Sequence, residues 1–84
     1  MTIRVLLFGH YRDALPAGAG GSLTLQMHDK ATPADVADNL AARDERFVDL
    51  PNRTRVAVRE AFADWDTLLT DGDEVAFLPP MSGG

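Results

Sequence analysis

An α+β fold, with one mixed β-sheet and a single main helix packed on one face of it, is predicted by three observations. Two stretches of near-continuous apolar residues, 3–8 and 75–78, lie near the two ends of the chain and read as central strands. Between them, one segment beginning at Thr32 carries a helix start followed by a helical apolar stripe. Two further segments, 22–27 and 54–58, alternate apolar and polar residues as half-buried strands do.

Taken in order, residues 3–8 form the first strand, ended by Gly9. Residues 11–15 suit one short helical turn. The run Pro16-Ala17-Gly18-Ala19-Gly20-Gly21 is a flexible connection, and it makes a hairpin of the first strand and the second. In the second strand Leu23, Leu25 and Met27 face one way, Thr24 and Gln26 the other. Thr32 is placed to cap the main helix, Pro33 falls at its first position, and Asp35 completes a capping box. Val36, Ala37, Leu40 and Ala41 then recur at helical spacing through about Arg43. Residues 44–51 read as a connection with Phe47 and Val48 against the core. Thr54, Val56 and Val58 alternate with Arg53, Arg55, Ala57 and Arg59, giving a third strand with one apolar and one basic face. Phe62 and Trp65 lie in a short irregular or edge segment. Thr70-Asp71-Gly72-Asp73 is a turn that leads into the last strand, residues 74–78.

A helix between segments of one sheet packs on one face of that sheet. With the first and last strands side by side in the middle, the sheet is mixed, which is the β-grasp (ubiquitin-like) arrangement. Residues 1–78 are expected to form one domain and residues 79–84 an extended tail. Eighty-four residues leave no room for a second core.

Composition narrows the chemistry. The absence of cysteine excludes disulfides, thiolate metal sites and a thiol nucleophile. Thirteen acidic against eight basic side chains give a formal charge of −5, which argues against nucleic-acid binding. No segment has the length of a membrane span or the pattern of a signal peptide, so a cytoplasmic protein with no membrane partner is the expectation. His10 and His28 lack a third clustered ligand, and the loop at residues 18–21 is not followed by the Lys-Ser/Thr of a phosphate loop.

The chain ends in an unusual way. Pro79-Pro80 cannot continue a sheet ladder and holds the backbone extended. From Pro80 onward, four residues reach roughly 13–14 Å at full extension, enough to deliver a terminal carboxyl into a partner's pocket. Gly83 and Gly84 carry no Cβ and pass where bulkier residues would meet the walls. A free α-carboxylate is ionised at neutral pH and is a poor electrophile. It must be activated, most simply as an acyl-adenylate, before a sulfur nucleophile can displace AMP and leave a terminal thiocarboxylate.

The closing sixteen residues, Leu69-Thr70-Asp71-Gly72-Asp73-Glu74-Val75-Ala76-Phe77-Leu78-Pro79-Pro80-Met81-Ser82-Gly83-Gly84, closely resemble the end of the molybdopterin synthase small-subunit family of ubiquitin-like sulfur carriers. The opening Ile3-Arg4-Val5-Leu6-Leu7-Phe8-Gly9 resembles it too. The resemblance implies that an E1-like adenylating enzyme, using ATP and Mg, activates Gly84, and that a sulfurtransferase supplies sulfur as a persulfide. The thiocarboxylated tail would then enter the large synthase subunit and give its sulfur to cyclic pyranopterin monophosphate in molybdenum cofactor biosynthesis. The carrier itself would hold no permanent cofactor and no metal, and the catalytic side chains would sit on the large subunit. One departure is that Ala57-Val58 is followed by Arg59, where the family often has asparagine.

Partner contacts are expected from Phe77, Pro79, Pro80, Met81, Ser82 and Gly83, with Phe77 read either as core or as part of a docking patch. Arg53, Arg55 and Arg59 fit equally a stripe that meets an acidic partner and a charged guard against edge pairing. Competing readings are a thiamin-type sulfur carrier, a ubiquitin-like protein modifier, and a plain binding module whose end is incidental. The single lysine, Lys30, makes self-linked chains improbable.

Overall fold

The computed structural model of the chain describes residues 1–16, 18 and 20–79. Five strands form one sheet: β1 (Thr2–Leu7), β2 (Ser22–Gln26), β3 (Arg55–Val58), β4 (Ala61–Phe62) and β5 (Glu74–Leu78), in the order β2-β1-β5-β3-β4. β1 and β5 run parallel in the middle, and the other pairs are antiparallel. The sheet is therefore mixed, with the first and last strands central as the sequence predicts. Three helices, α1 (Gly9–Asp13), α2 (Pro33–Arg43) and α3 (Leu50–Arg53), and a 3-10 turn at Glu45–Phe47 complete the described elements. None of these helices is long and apolar enough to cross a membrane.

α2 starts where its chemistry says it should. The Thr32 hydroxyl accepts from the Asp35 amide at 3.3 Å, and the Asp35 carboxylate accepts from the Thr32 amide at 3.0 Å, with Pro33 at the first helical turn. Val36, Ala37 and Leu40 are buried from this helix, and they meet Ile3, Val5, Leu7, Leu25, Val56, Val75 and Phe77 from the sheet. The core lies in this single helix–sheet layer.

Several expectations change in detail. β1 is buried on one face only: Ile3, Val5 and Leu7 point into the core, while Arg4 is exposed and Leu6 half-buried, because the helices cover only one side of the sheet. Val48 was expected against the core but is 62% exposed, since the 3-10 turn that sends Phe47 inward leaves the next residue outside. The basic face of the third strand is not continuous. Arg53 belongs to α3, and Arg59 lies beyond β3 in a turn where it and Glu60 have φ of 50° and 69°. Two successive left-handed residues between paired Val58 and Ala61 have the φ signs of a type I′ hairpin turn. Asparagine is a preferred residue of such a turn. Arg59 holds it instead through an ion pair, its Nη1 lying 2.6 Å from Oδ1 of buried Asp73.

One glycine is required by close approach. Gly21 has φ 82°, its carbonyl accepts from the Leu7 amide at 2.7 Å, and a Cβ there would lie 3.1 Å from the Leu7 carbonyl oxygen.

Candidate functional site

The base of the tail is set by β5, the middle strand of the sheet. Phe77 is paired with Leu7 on β1 and Val56 on β3, and Leu78 with Arg55. The Phe77 side chain is 0% exposed and stacks on Trp65 with ring centroids 5.7 Å apart. The core alternative therefore holds for Phe77. It cannot touch a partner in this fold, because its place in the β5 alternation points it under α2's layer. What it does is fix the strand that precedes the tail. Pro79 is exposed immediately after Leu78. Pro80, Met81, Ser82, Gly83 and Gly84 lie outside the described residues.

Two surfaces meet at Pro79. On one side is a groove of about 510 Å³ whose lining includes Phe8, His10, Tyr11, Asn52, Arg53 and Pro79. Its wall is braced from behind. The Tyr11 hydroxyl donates to Asp49 Oδ1 at 2.9 Å, and Arg53 Nε pairs with Asp49 Oδ2 at 2.9 Å. Burial, then the hydrogen bond and the charge of Asp49, push the Tyr11 hydroxyl up to about 12, so it remains a neutral donor through the whole physiological range.

On the other side is the open face of the sheet. Leu6, Ala76, Ala57 and Phe62 lie in one cross-strand row through the registers Leu6↔Ala76, Ala57↔Ala76 and Ala57↔Phe62. Along that row Ala57 is buried, Leu6 and Ala76 are half-buried, and Phe62 is 69% exposed. Leu78 and Arg55 form the next row toward the tail, with the Arg55 guanidinium carbon 5.0 Å from the centroid of the Phe62 ring. Phe8, 38% exposed, extends the apolar surface toward Pro79.

Sequence reasoning singled out Pro79 and Arg55 here but not Leu6, Phe8 or Phe62 as surface. The signal was present: in a sheet covered on one side, every second residue of a central strand faces outward. The described part of the site offers an apolar platform with a cationic rim beside the tail's origin. Among the described residues no group of three or more His, Asp or Glu side chains could hold a metal ion.

Comparison with known proteins bears on the same end. The model of the ThiS family matches residues 5–84. The molybdopterin synthase sulfur carrier subunit of Mycobacterium tuberculosis is 33% identical over 82 residues, covering 98% of this chain and 96% of that protein. Among solved structures, the putative molybdopterin converting factor subunit 1 from Pyrococcus furiosus superposes with a TM-score of 0.77 at 23% identity, covering 94% and 97% of the two chains. The complex of subunits 1 and 2 of the molybdopterin-converting factor from Helicobacter pylori contains a chain similar at a TM-score of 0.66 and 21% identity, with full coverage of both. These structural likenesses are of fold.

Proposed function

The chain belongs to the ThiS family and is a sulfur carrier of the molybdopterin synthase small-subunit kind, and from that premise we propose that its working group is the α-carboxyl of Gly84. The observation that carries the reading is the launch of the tail. β5, the middle strand of the sheet, ends at Leu78 beside an apolar platform, and the exposed Pro79 that follows has no amide with which to continue the ladder. A reactive end delivered into another protein needs both parts: a rigid base to set direction and an uncluttered end to enter.

The chemistry proceeds by acyl activation. An E1-like enzyme binds Mg-ATP, and the Gly84 carboxylate attacks the α-phosphorus, expelling pyrophosphate and forming an acyl-adenylate. The terminal sulfur of a persulfide on a sulfurtransferase then attacks the carbonyl carbon and AMP departs. A thiol cleaves the resulting acyl disulfide, becoming oxidised to a disulfide and releasing the thiocarboxylate. In the large synthase subunit, the thiocarboxylate sulfur passes to cyclic pyranopterin monophosphate, and the acyl group returns to carboxylate by taking oxygen from water. The protein's own part is to present the carbonyl carbon. Gly83 and Gly84 offer no side chain to obstruct either nucleophile.

The acceptor distinguishes this pathway from a thiamin-type one. With the Gly84 thiocarboxylate installed chemically, incubation with the large synthase subunit and cyclic pyranopterin monophosphate is expected to return the carrier to its carboxylate mass and to form a dithiolene. Sulfur retained on the carrier under those conditions, but released to a thiazole-forming enzyme, would assign it to the other pathway.

A further inference from the structure

Three arginines gave the sequence a basic stripe, and the structure separates their fates. Arg59 is bound to Asp73, and Arg53 to Asp49. Arg55 alone of the three has no carboxylate within ion-pairing distance among the described residues; its guanidinium rests on the Phe62 ring. It is exposed, on the open face of the sheet, and its register partner is Leu78, the last residue of β5. Paired residues on antiparallel strands lie about 4.5–5.5 Å apart, so any surface that accepts the tail and closes over Leu78 also closes over Arg55.

An apolar surface that covered Arg55 without an anion would strand a desolvated charge, which costs several kcal/mol on the order of magnitude known for buried ions. Such a surface must therefore bring a carboxylate. The guanidinium sits over the Phe62 ring with no carboxylate paired to it among the described residues, so it can make paired hydrogen bonds to an incoming one. Phosphate is the weaker candidate, because a chain of formal charge −5 repels a polyanion.

Resting on the sulfur-carrier reading above, we propose that Arg55, stacked on Phe62 and set opposite the final residue of β5, is a specificity contact for an acidic side chain on the apolar surface of the large synthase subunit that receives the tail. It selects the partner by its charge, while Leu6, Ala76 and Phe62 supply the area.

The test is calorimetric titration of the large synthase subunit from the same organism with wild-type carrier and with Arg55→Lys, Arg55→Gln and Arg55→Glu, each checked for the wild-type melting transition. The expectation is binding weakened by at least about tenfold in Arg55→Gln and further in Arg55→Glu, with partial recovery in Arg55→Lys. The salt dependence of wild-type binding should also be reduced in Arg55→Gln. A merely structural residue would not move that slope. Unchanged affinity and slope in Arg55→Glu, while the wild type takes up sulfur at Gly84 and binds the large subunit, would overturn this inference and leave the carrier reading intact. Self-association of the wild type that Arg55→Glu abolishes, with large-subunit binding unchanged, would assign the face to a second copy and overturn it too. A wild type that takes up no sulfur would remove the premise of both.

Discussion

Asp73 shows how one residue can serve a turn, a strand and a neighbouring hairpin at once. Its Oδ2 accepts from the Thr70 amide at 2.8 Å and its Oδ1 from Arg59 Nη1 at 2.6 Å, while its own carbonyl accepts from the Arg4 amide at 3.0 Å. Burial works to raise this carboxyl, but the Thr70 amide and the Arg59 guanidinium outweigh it and hold it below the usual carboxylate range. A carboxyl whose folded value is depressed contributes stability above its unfolded value, near pH 4, and loses that contribution as pH falls through the lower folded value. Asp73→Ala is therefore expected to cost about 1–3 kcal/mol at neutral pH, a modest figure because Arg59 is largely in water. Urea unfolding of the two proteins should show that difference shrinking below about pH 4. A difference that stays constant to pH 3 would mean that the charge of Asp73 contributes nothing. In the sequence Asp73 reads only as a turn residue. Its link to Arg59, fourteen positions away, depends on a strand register that no local pattern encodes.

At the scale of the element, the β3–β4 hairpin is the part held against its own preference. Arg59 and Glu60 both occupy left-handed backbone, which costs an L-residue roughly 1–2 kcal/mol where glycine would adopt it freely. Arg59 is compensated by Asp73; Glu60 is exposed, with φ 69°. Glu60→Gly is accordingly expected to stabilise the protein by up to about 1 kcal/mol after the extra entropy of glycine in the unfolded chain, a rise in Tm of about 4–8 °C per kcal/mol. A lower Tm would show that the Glu60 side chain makes a contact outweighing the backbone strain. The other elements differ in how plainly they were written in the chain. α2 was legible almost to the residue because Thr32, Pro33 and Asp35 state its start by local chemistry alone. The central strands were legible as strands, but not as one-faced, because Leu6 and Ala76 are apolar residues on the open side of the sheet rather than in the core. The split of the arginines among α3, β3 and a turn was not legible, since alternation carries no mark of where a strand begins.

For the whole molecule, the proposed organisation is a division of labour between a body that fixes direction and an end that carries chemistry. The parallel pairing of β1 with β5 places the two ends of the chain's pattern in the centre of the sheet, and the turn before β5 is tied to β1 through Asp71, whose Oδ1 accepts from the Thr2 amide at 2.7 Å. Pro79 thus follows the middle strand of the sheet, between a braced groove and an apolar sheet face. The tail's proposed role rests on the nature of its last two residues, whereas the apolar sheet face emerges only from the register of four strands. The central claim is that sulfur is carried on the Gly84 carboxyl. Its most direct test is the intact mass of the purified chain after incubation with the activating enzyme, Mg-ATP and a persulfide donor. The account predicts a mass gain equal to replacing one oxygen by sulfur, absent when Gly84 is deleted. No gain, with an enzyme mixture that thiocarboxylates an established carrier, would contradict it.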